Sequence, residues 1–177
     1  TAVFARHLNI REMQDLKGFI AAAEEACGPF DILVNAAGTT AEQPVSGHPD
    51  VLWDKIMDTN LTGAFRMIRE VLPGMMERGW GRIINIGSTA ATVGWKDNPA
   101  YCASKAGLLG LTRCVALEGA PCGVTCVMIS PTWVETELMR RNVEQLISRE
   151  GQGRTLEDAM AEIAARNPQQ RIIQPFE

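Results

Sequence analysis

Short apolar runs alternate along the chain with longer stretches in which apolar residues recur every three or four positions. Three of the short runs lack the every-second-residue pattern of a half-exposed strand. They are residues 31–34 (Ile32, Leu33, Val34), 82–86 (Ile83, Ile84, Ile86) and 124–129. Such runs suit strands of a parallel sheet covered on both faces. Residues 2–8 form a weaker fourth candidate. Helical spacing fills residues 11–27, 51–76 and 99–119, followed by a looser pair at 134–150 and 156–166. Strands alternating with helices predict an α/β fold on a doubly wound parallel sheet. No internal repeat or low-complexity tract interrupts this order, and Gly151-Gln152-Gly153 is its one soft joint.

Two of the helical stretches are apolar over more of their circumference than packing on a sheet requires. Residues 99–119 carry Ala103, Ala106, Leu108, Leu109, Leu111, Val115 and Leu117, with Gly107 and Gly110 permitting close approach. Residues 51–76 carry Ile56, Leu61, Phe65, Ile68, Val71, Leu72 and Met75. A surface helix needs a single apolar stripe, so the surplus points to a second buried surface. A second copy of the chain is the natural partner, giving a homo-oligomer, dimer or tetramer.

Composition narrows the function classes. A net charge of -4, with Lys and Arg scattered, argues against nucleic acid, which selects a basic face. No apolar stretch approaches the roughly 20 residues of a membrane span. Five cysteines without a CxxC pair, and two histidines at no ligand spacing, argue against a metal site. An odd, unframed set of thiols fits reduced cysteines and a cytoplasmic setting.

Chemistry enters with the helix at 99–119. Tyr101 and Lys105 lie four residues apart, on one face and one turn from each other. The spacing alone is common by chance, but its chemistry is specific. A neighbouring ammonium favours the phenolate and draws the tyrosine toward working pH, which suits a general acid/base for a carbonyl or alcohol oxygen. Ser88 follows the strand at 82–86, at the carboxyl end where parallel sheets bind ligands; it is a turn serine or a hydrogen bonder to the same oxygen. Asn60, a poor helix former in mid-helix, is either exposed or needed there. Asn35-Ala36-Ala37-Gly38 ends the first strong strand with side chains small enough for a ligand to come close.

Taken in order, Asn35-Ala36-Ala37-Gly38, Asn60, Ser88 and Tyr101-Cys102-Ala103-Ser104-Lys105 resemble the classical short-chain dehydrogenase/reductase family. Pro131-Thr132-Trp133-Val134-Glu135-Thr136 resembles the family's Pro-Gly-x-x-x-Thr segment, and Gly28-Pro29-Phe30-Asp31 reads like the approach to its fourth strand. The resemblance implies an NAD(P)-dependent oxidoreductase. It would move a hydride between NAD or NADP and a small-molecule ketone or secondary alcohol, 3-oxoacyl carbonyls included. By the same resemblance Tyr101 is the general acid/base, and Ser88 orients the substrate oxygen. Lys105 lowers the tyrosine pKa and holds the nicotinamide ribose, while Asn60 fixes a water in the proton relay. Asn9, Ile10, Asn35, Ala36, Ala37 and Gly38 would line the adenosine side, and Pro131, Val134 and Thr136 the nicotinamide carboxamide. Trp95 and Trp133, with Leu138 and Met139, fall where the family places its substrate pocket and lid, residues 132–170.

Three departures stand out. Thr132 replaces the usual glycine after the proline, and Asn9 stands where the family has an aspartate on adenine. No Gly-rich phosphate loop is present. Residues 1–177 therefore read as a single incomplete Rossmann-like domain lacking the first two strands and the last. Residues 2–8 would then face a gap two strands wide. The competing reading is a non-catalytic binding or assembly module of the same family, which the intact Asn60, Ser88, Tyr101 and Lys105 set argues against.

Overall fold

The computed structural model describes residues 2–150, 153 and 155–177, without the side chains of Leu138, Arg149 and Glu150. Gly151, Gln152 and the Leu138 side chain, singled out from sequence, lie outside this description. The chain divides into two compact units, Thr1–Ser130 and Pro131–Glu177.

The first unit holds a parallel three-stranded sheet in the order β1 (Ile32–Asn35), β2 (Gly81–Ile86), β3 (Val124–Ile129). Helix α1 (Met13–Cys27) precedes β1. Helices α2 (Asp50–Met57) and α3 (Gly63–Glu77) join β1 to β2, and α4 (Pro99–Gly119) joins β2 to β3. Each crossover carries helix, as neighbouring parallel strands require. The architecture is the Rossmann-like α/β fold that the alternation of runs predicts.

The core lies on one face of this sheet. Leu33, Ile83, Val124 and Cys126 pack against Leu16 and Ile20 of α1, Ile68, Val71 and Met75 of α3, and Val115 of α4. The other face is open: Ile32, Val34, Val127 and Ile129 each keep about half their surface. The expectation that both faces are covered is thus corrected, because only α1, α3 and α4 are laid on the strands, all on one side. Residues 2–8 are corrected as well. They form no strand, and β1 pairs only with β2, so an extended segment there has no ladder to join.

A polar ladder crosses the covered face. Asn35 Nδ2 donates to Asn85 Oδ1 (2.8 Å), and Asn85 Nδ2 donates to Thr112 Oγ1 (2.9 Å), tying β1 to β2 and β2 to α4. Asn85 is fully buried, so each bond is made without competing water. Asn85→Ala orphans the buried Asn35 amide, worth roughly 1–3 kcal/mol when unpaired, while the Thr112 hydroxyl keeps its bond to the Leu108 carbonyl. Urea denaturation is expected to show a loss in that range or above; an unchanged midpoint would mean that water replaces the ladder.

The stretch read as one helix at 51–76 is α2 and α3 joined by a single π-turn, Asp58–Thr62. Asn60 sits in this turn and is almost wholly buried. α4 passes close by: a Cβ on Gly107 would lie 2.7 Å from Leu61 Cδ2, so the glycine leaves room for the Leu61 side chain.

The second unit contains α5 (Glu137–Glu150) and α6 (Leu156–Arg166). Met139 and Val143 pack against Ala159 and Ile163, with Trp133 and Ile172 at the margin. α6 starts on a capping box in which the Thr155 hydroxyl accepts the Asp158 N–H (3.1 Å) and the Asp158 carboxylate accepts the Thr155 N–H. Val134 forms an isolated parallel bridge with Ile173.

Candidate active site

The carboxyl end of β2 and the first turns of α4 bring the central residues together. β2 stops at Ile86, and Ser88 follows as a buried cap whose Oγ accepts the Ala90 N–H (3.1 Å). α4 starts at Pro99, whose fixed φ and missing N–H suit a first helical position. Tyr101 and Lys105 then fall on successive turns. The Ser88 hydroxyl lies near enough to the Tyr101 phenol to favour its ionised form. Lys105 Nζ lies 5.7 Å from the Tyr101 ring centroid and donates to the Ile86 carbonyl (2.7 Å).

Electrostatics in this cluster differ from the sequence expectation. Burial pushes the Tyr101 phenol up from its ordinary value, partly offset by the Ser88 hydroxyl. Burial, not the expected lowering by Lys105, governs the shift. Burial holds Lys105 itself down, to about 8.

Asn60 is braced rather than free. Its Oδ1 accepts the Thr39 N–H (2.8 Å), while its Nδ2 donates to the Thr39 carbonyl (2.9 Å) and to Ser104 Oγ (3.0 Å). Ser104 in turn donates to the Tyr101 carbonyl (2.8 Å). Both amide protons of Asn60 are thus committed to Thr39 and Ser104. What it does is tie the segment after β1 to the first turn of α4.

That segment is the cofactor-sized feature of the site. Ala36, Ala37 and Gly38 are exposed beyond the end of β1. A Cβ on Gly38 would lie 3.6 Å from Asn60 Oδ1 and 3.9 Å from Lys105 Nζ. This is an open ledge of small residues beside a cation, at the strand ends where α/β sheets take nucleotides. An exposed run of small residues with an ammonium beside it fits part of a nicotinamide dinucleotide.

The family model for short chain dehydrogenases matches residues 1–147. This chain belongs to the short-chain dehydrogenase family. An actinorhodin polyketide ketoreductase variant crystallised with NADPH superimposes with a TM-score of 0.90 at 38% identity, covering 96% of this chain and 65% of that one. D-beta-hydroxybutyrate dehydrogenase of Cupriavidus necator is 41% identical over 140 residues, 79% of this chain and 53% of its own length. The 3-oxoacyl acyl-carrier-protein reductase FabG of Vibrio harveyi is 38% identical over 133 residues, 75% of this chain and 54% of its own length. The short-chain dehydrogenase chain thus spans between 53% and 66% of the length of the first curated relatives it matches.

The remaining sequence-predicted residues of this short-chain dehydrogenase are spread more widely. Asn35 is buried and committed to Asn85. Asn9 caps the turn before α1, its Oδ1 accepting the Arg11 N–H (3.2 Å). Ile10 packs on the core, and its Cγ1 lies 2.8 Å from where a Gly63 Cβ would be. Trp95 stacks on Tyr101 with ring centroids 5.8 Å apart. Pro131, Trp133, Val134 and Thr136 belong to the second unit. There Thr136 Oγ1 accepts the Met139 N–H (3.2 Å), and Trp133 and Met139 join the hydrophobic cluster. Sequence reading missed Thr39, Asn85, Ser104 and Thr112. Asn85, a polar residue inside an apolar strand, was the available signal. Ser104, three residues after Tyr101, shares its helix face.

Proposed function

We propose that this chain carries the catalytic centre of an NAD(P)-dependent oxidoreductase acting on a ketone or secondary alcohol, with 3-oxoacyl-type carbonyls as the substrate class. The observation that carries the reading is the meeting of Ser88 and Tyr101 at the end of β2, with Lys105 one turn further along α4. The names of the *C. necator* and *V. harveyi* relatives, a hydroxybutyrate dehydrogenase and a 3-oxoacyl reductase, support the substrate class.

A bound nicotinamide dinucleotide, NAD or NADP, supplies or accepts the hydride. Everything else falls to the chain. Ala36, Ala37 and Gly38 give the cofactor its ledge, and Lys105 offers its ammonium to the ribose hydroxyls. Ser88 donates a hydrogen bond to the carbonyl oxygen and orients it. Tyr101 passes its phenolic proton to that oxygen as negative charge develops there, and takes a proton back in the oxidative direction. Asn60 keeps the ledge and the first turn of α4 in register through Thr39 and Ser104. Residues 132–170 serve as the substrate lid. The raised phenol keeps the proton donor protonated to higher pH, so carbonyl reduction holds into the alkaline range while alcohol oxidation gains as pH rises. Ketone-dependent NADH or NADPH oxidation, abolished by Ser88→Ala together with Tyr101→Phe, tests the reading.

The protein works as a homo-oligomer, dimer or tetramer. Val51, Trp53, Phe65 and Leu117 of α2, α3 and α4 remain exposed within one copy and form the contact. Phe65→Asp with Leu117→Asp is expected to yield folded monomer by sedimentation at micromolar concentration. A monomeric parent protein would refute the assignment.

A further inference from the structure

The loop between the Ser88 cap and α4, Gly94-Trp95-Lys96-Asp97-Asn98, runs from exposed Gly94 to buried Asn98 and is fastened along its length. The Trp95 N–H donates to Cys102 Sγ (3.4 Å), and the Asn98 N–H donates to the Trp95 carbonyl (3.3 Å). The Thr40 hydroxyl donates to buried Asn98 Oδ1 (3.0 Å), and the Gln43 N–H donates to the Asp97 carbonyl (2.6 Å). Asp97 takes a left-handed φ of 59°, which aspartate tolerates better than most residues and which turns the chain back toward α4. A five-residue surface loop held at so many points is held for a reason.

What the fastening presents is the Trp95 indole. It lies over the Tyr101 ring at 5.8 Å between centroids and 26° between planes, within the range of favourable offset stacking. The ring is thereby held on one face by Trp95, with Lys105 Nζ 5.7 Å from its centroid. Without the indole, the ring loses its stacked neighbour and can rotate more freely about the tyrosine side-chain bonds. Water would also reach the ring face.

We propose that Trp95 is a positioning residue for Tyr101, acting through the ring stack rather than as a wall of the substrate pocket. Through Thr40–Asn98 and Gln43–Asp97 the same loop is joined to the segment that follows the Gly38 ledge. The loop that carries the stack is therefore anchored to the chain just beyond the ledge. The raised phenol is consistent with a ring shielded in this way. The proposal rests on Tyr101 being the general acid/base, and its test separates the two.

The test compares Trp95→Ala, Trp95→Leu and Trp95→Phe with the parent protein. Tyrosinate absorbance is titrated against a Tyr101→Phe background, and steady-state reduction of an acetoacetyl thioester is followed in parallel. Trp95→Ala is expected to lower kcat about tenfold, the scale of a modest loss of reactive geometry, with KM held within about twofold. Its tyrosinate midpoint moves down as water reaches the ring. Trp95→Leu keeps apolar bulk without a flat face and also loses kcat, so the stack is tested even if the alanine variant does not fold. Trp95→Phe restores kcat to within about threefold of the parent by keeping an aromatic face. A rise in KM alone, a phenylalanine variant no better than leucine, or an unmoved tyrosinate midpoint in both Trp95→Ala and Trp95→Leu overturns the proposal. If no variant, nor the parent, reduces the thioester, the oxidoreductase reading fails, and the titration still decides whether Trp95 shields the phenol.

Discussion

Tyr101→Phe lowers turnover by about 10²-fold or more, the range expected when a positioned general acid/base is lost. Cofactor affinity changes little, because the phenol hydroxyl acts on charge that develops only during the reaction. The ring remains, so the stack with Trp95 and the packing of α4 are preserved and the loss is assigned to the hydroxyl. Steady-state kinetics with cofactor binding measured separately makes the check. Near-normal turnover in this variant removes Tyr101 from the chemistry.

Lys105→Met produces the second large effect, and it falls on two quantities at once. Turnover and cofactor affinity both drop, each by tenfold or more, roughly what removing a charged hydrogen-bond partner costs. The pH dependence separates charge from bulk. Burial holds the ammonium down to about 8 against an ordinary value of 10.5, so its charge fades as pH rises through about 8. Cofactor binding by the parent protein should weaken across that interval, and binding by Lys105→Met should stay flat. Folding stability follows the opposite sign. The folded chain releases this proton more readily than the unfolded one, so Lys105 contributes stability that grows from about pH 8 toward 10.5 and is absent below. Titrating cofactor by fluorescence quenching across this pH range tests the first part. A change confined to the KM of the carbonyl substrate would mean that the ammonium does not serve the ribose.

The strands were legible from their apolar runs, and α4 and α6 fall on the residues their spacing predicts, 99–119 and 156–166. What an apolar run does not encode is which of its faces a given stretch of chain will cover. Ile32 and Val34 read the same as Leu33, yet only Leu33 is packed. Residues 2–8 show the same limit, since strand propensity produces a strand only where a neighbour offers a ladder. The π-turn at Asp58–Thr62 was hidden within one continuous helical pattern. Within it the Asn60 amide reaches across to Thr39, and the sequence trace was an asparagine where a helix disfavours one. Ser88, Tyr101 and Lys105, singled out through the family resemblance, lie near one another in the structure, with Asn60 joined to them through Ser104. The Asn35–Asn85–Thr112 ladder beneath them depends on three-dimensional neighbours that periodicity does not report. The direction of the Tyr101 shift differs from the expectation for a related reason: the spacing places Lys105 near the ring but does not report the burial that pushes the phenol up.

The central claim is that these residues support direct hydride transfer to a carbonyl, with Tyr101 managing the proton. The most direct measurement follows deuterium from NADH or NADPH labelled at the transferable position during reduction of acetoacetyl-CoA by the protein that carries this chain. The account predicts one deuterium on the new carbinol carbon of the product, a solvent-derived proton on its oxygen, and loss of both in Tyr101→Phe. Label left in the cofactor, label lost to water, or undiminished transfer in Tyr101→Phe would contradict it.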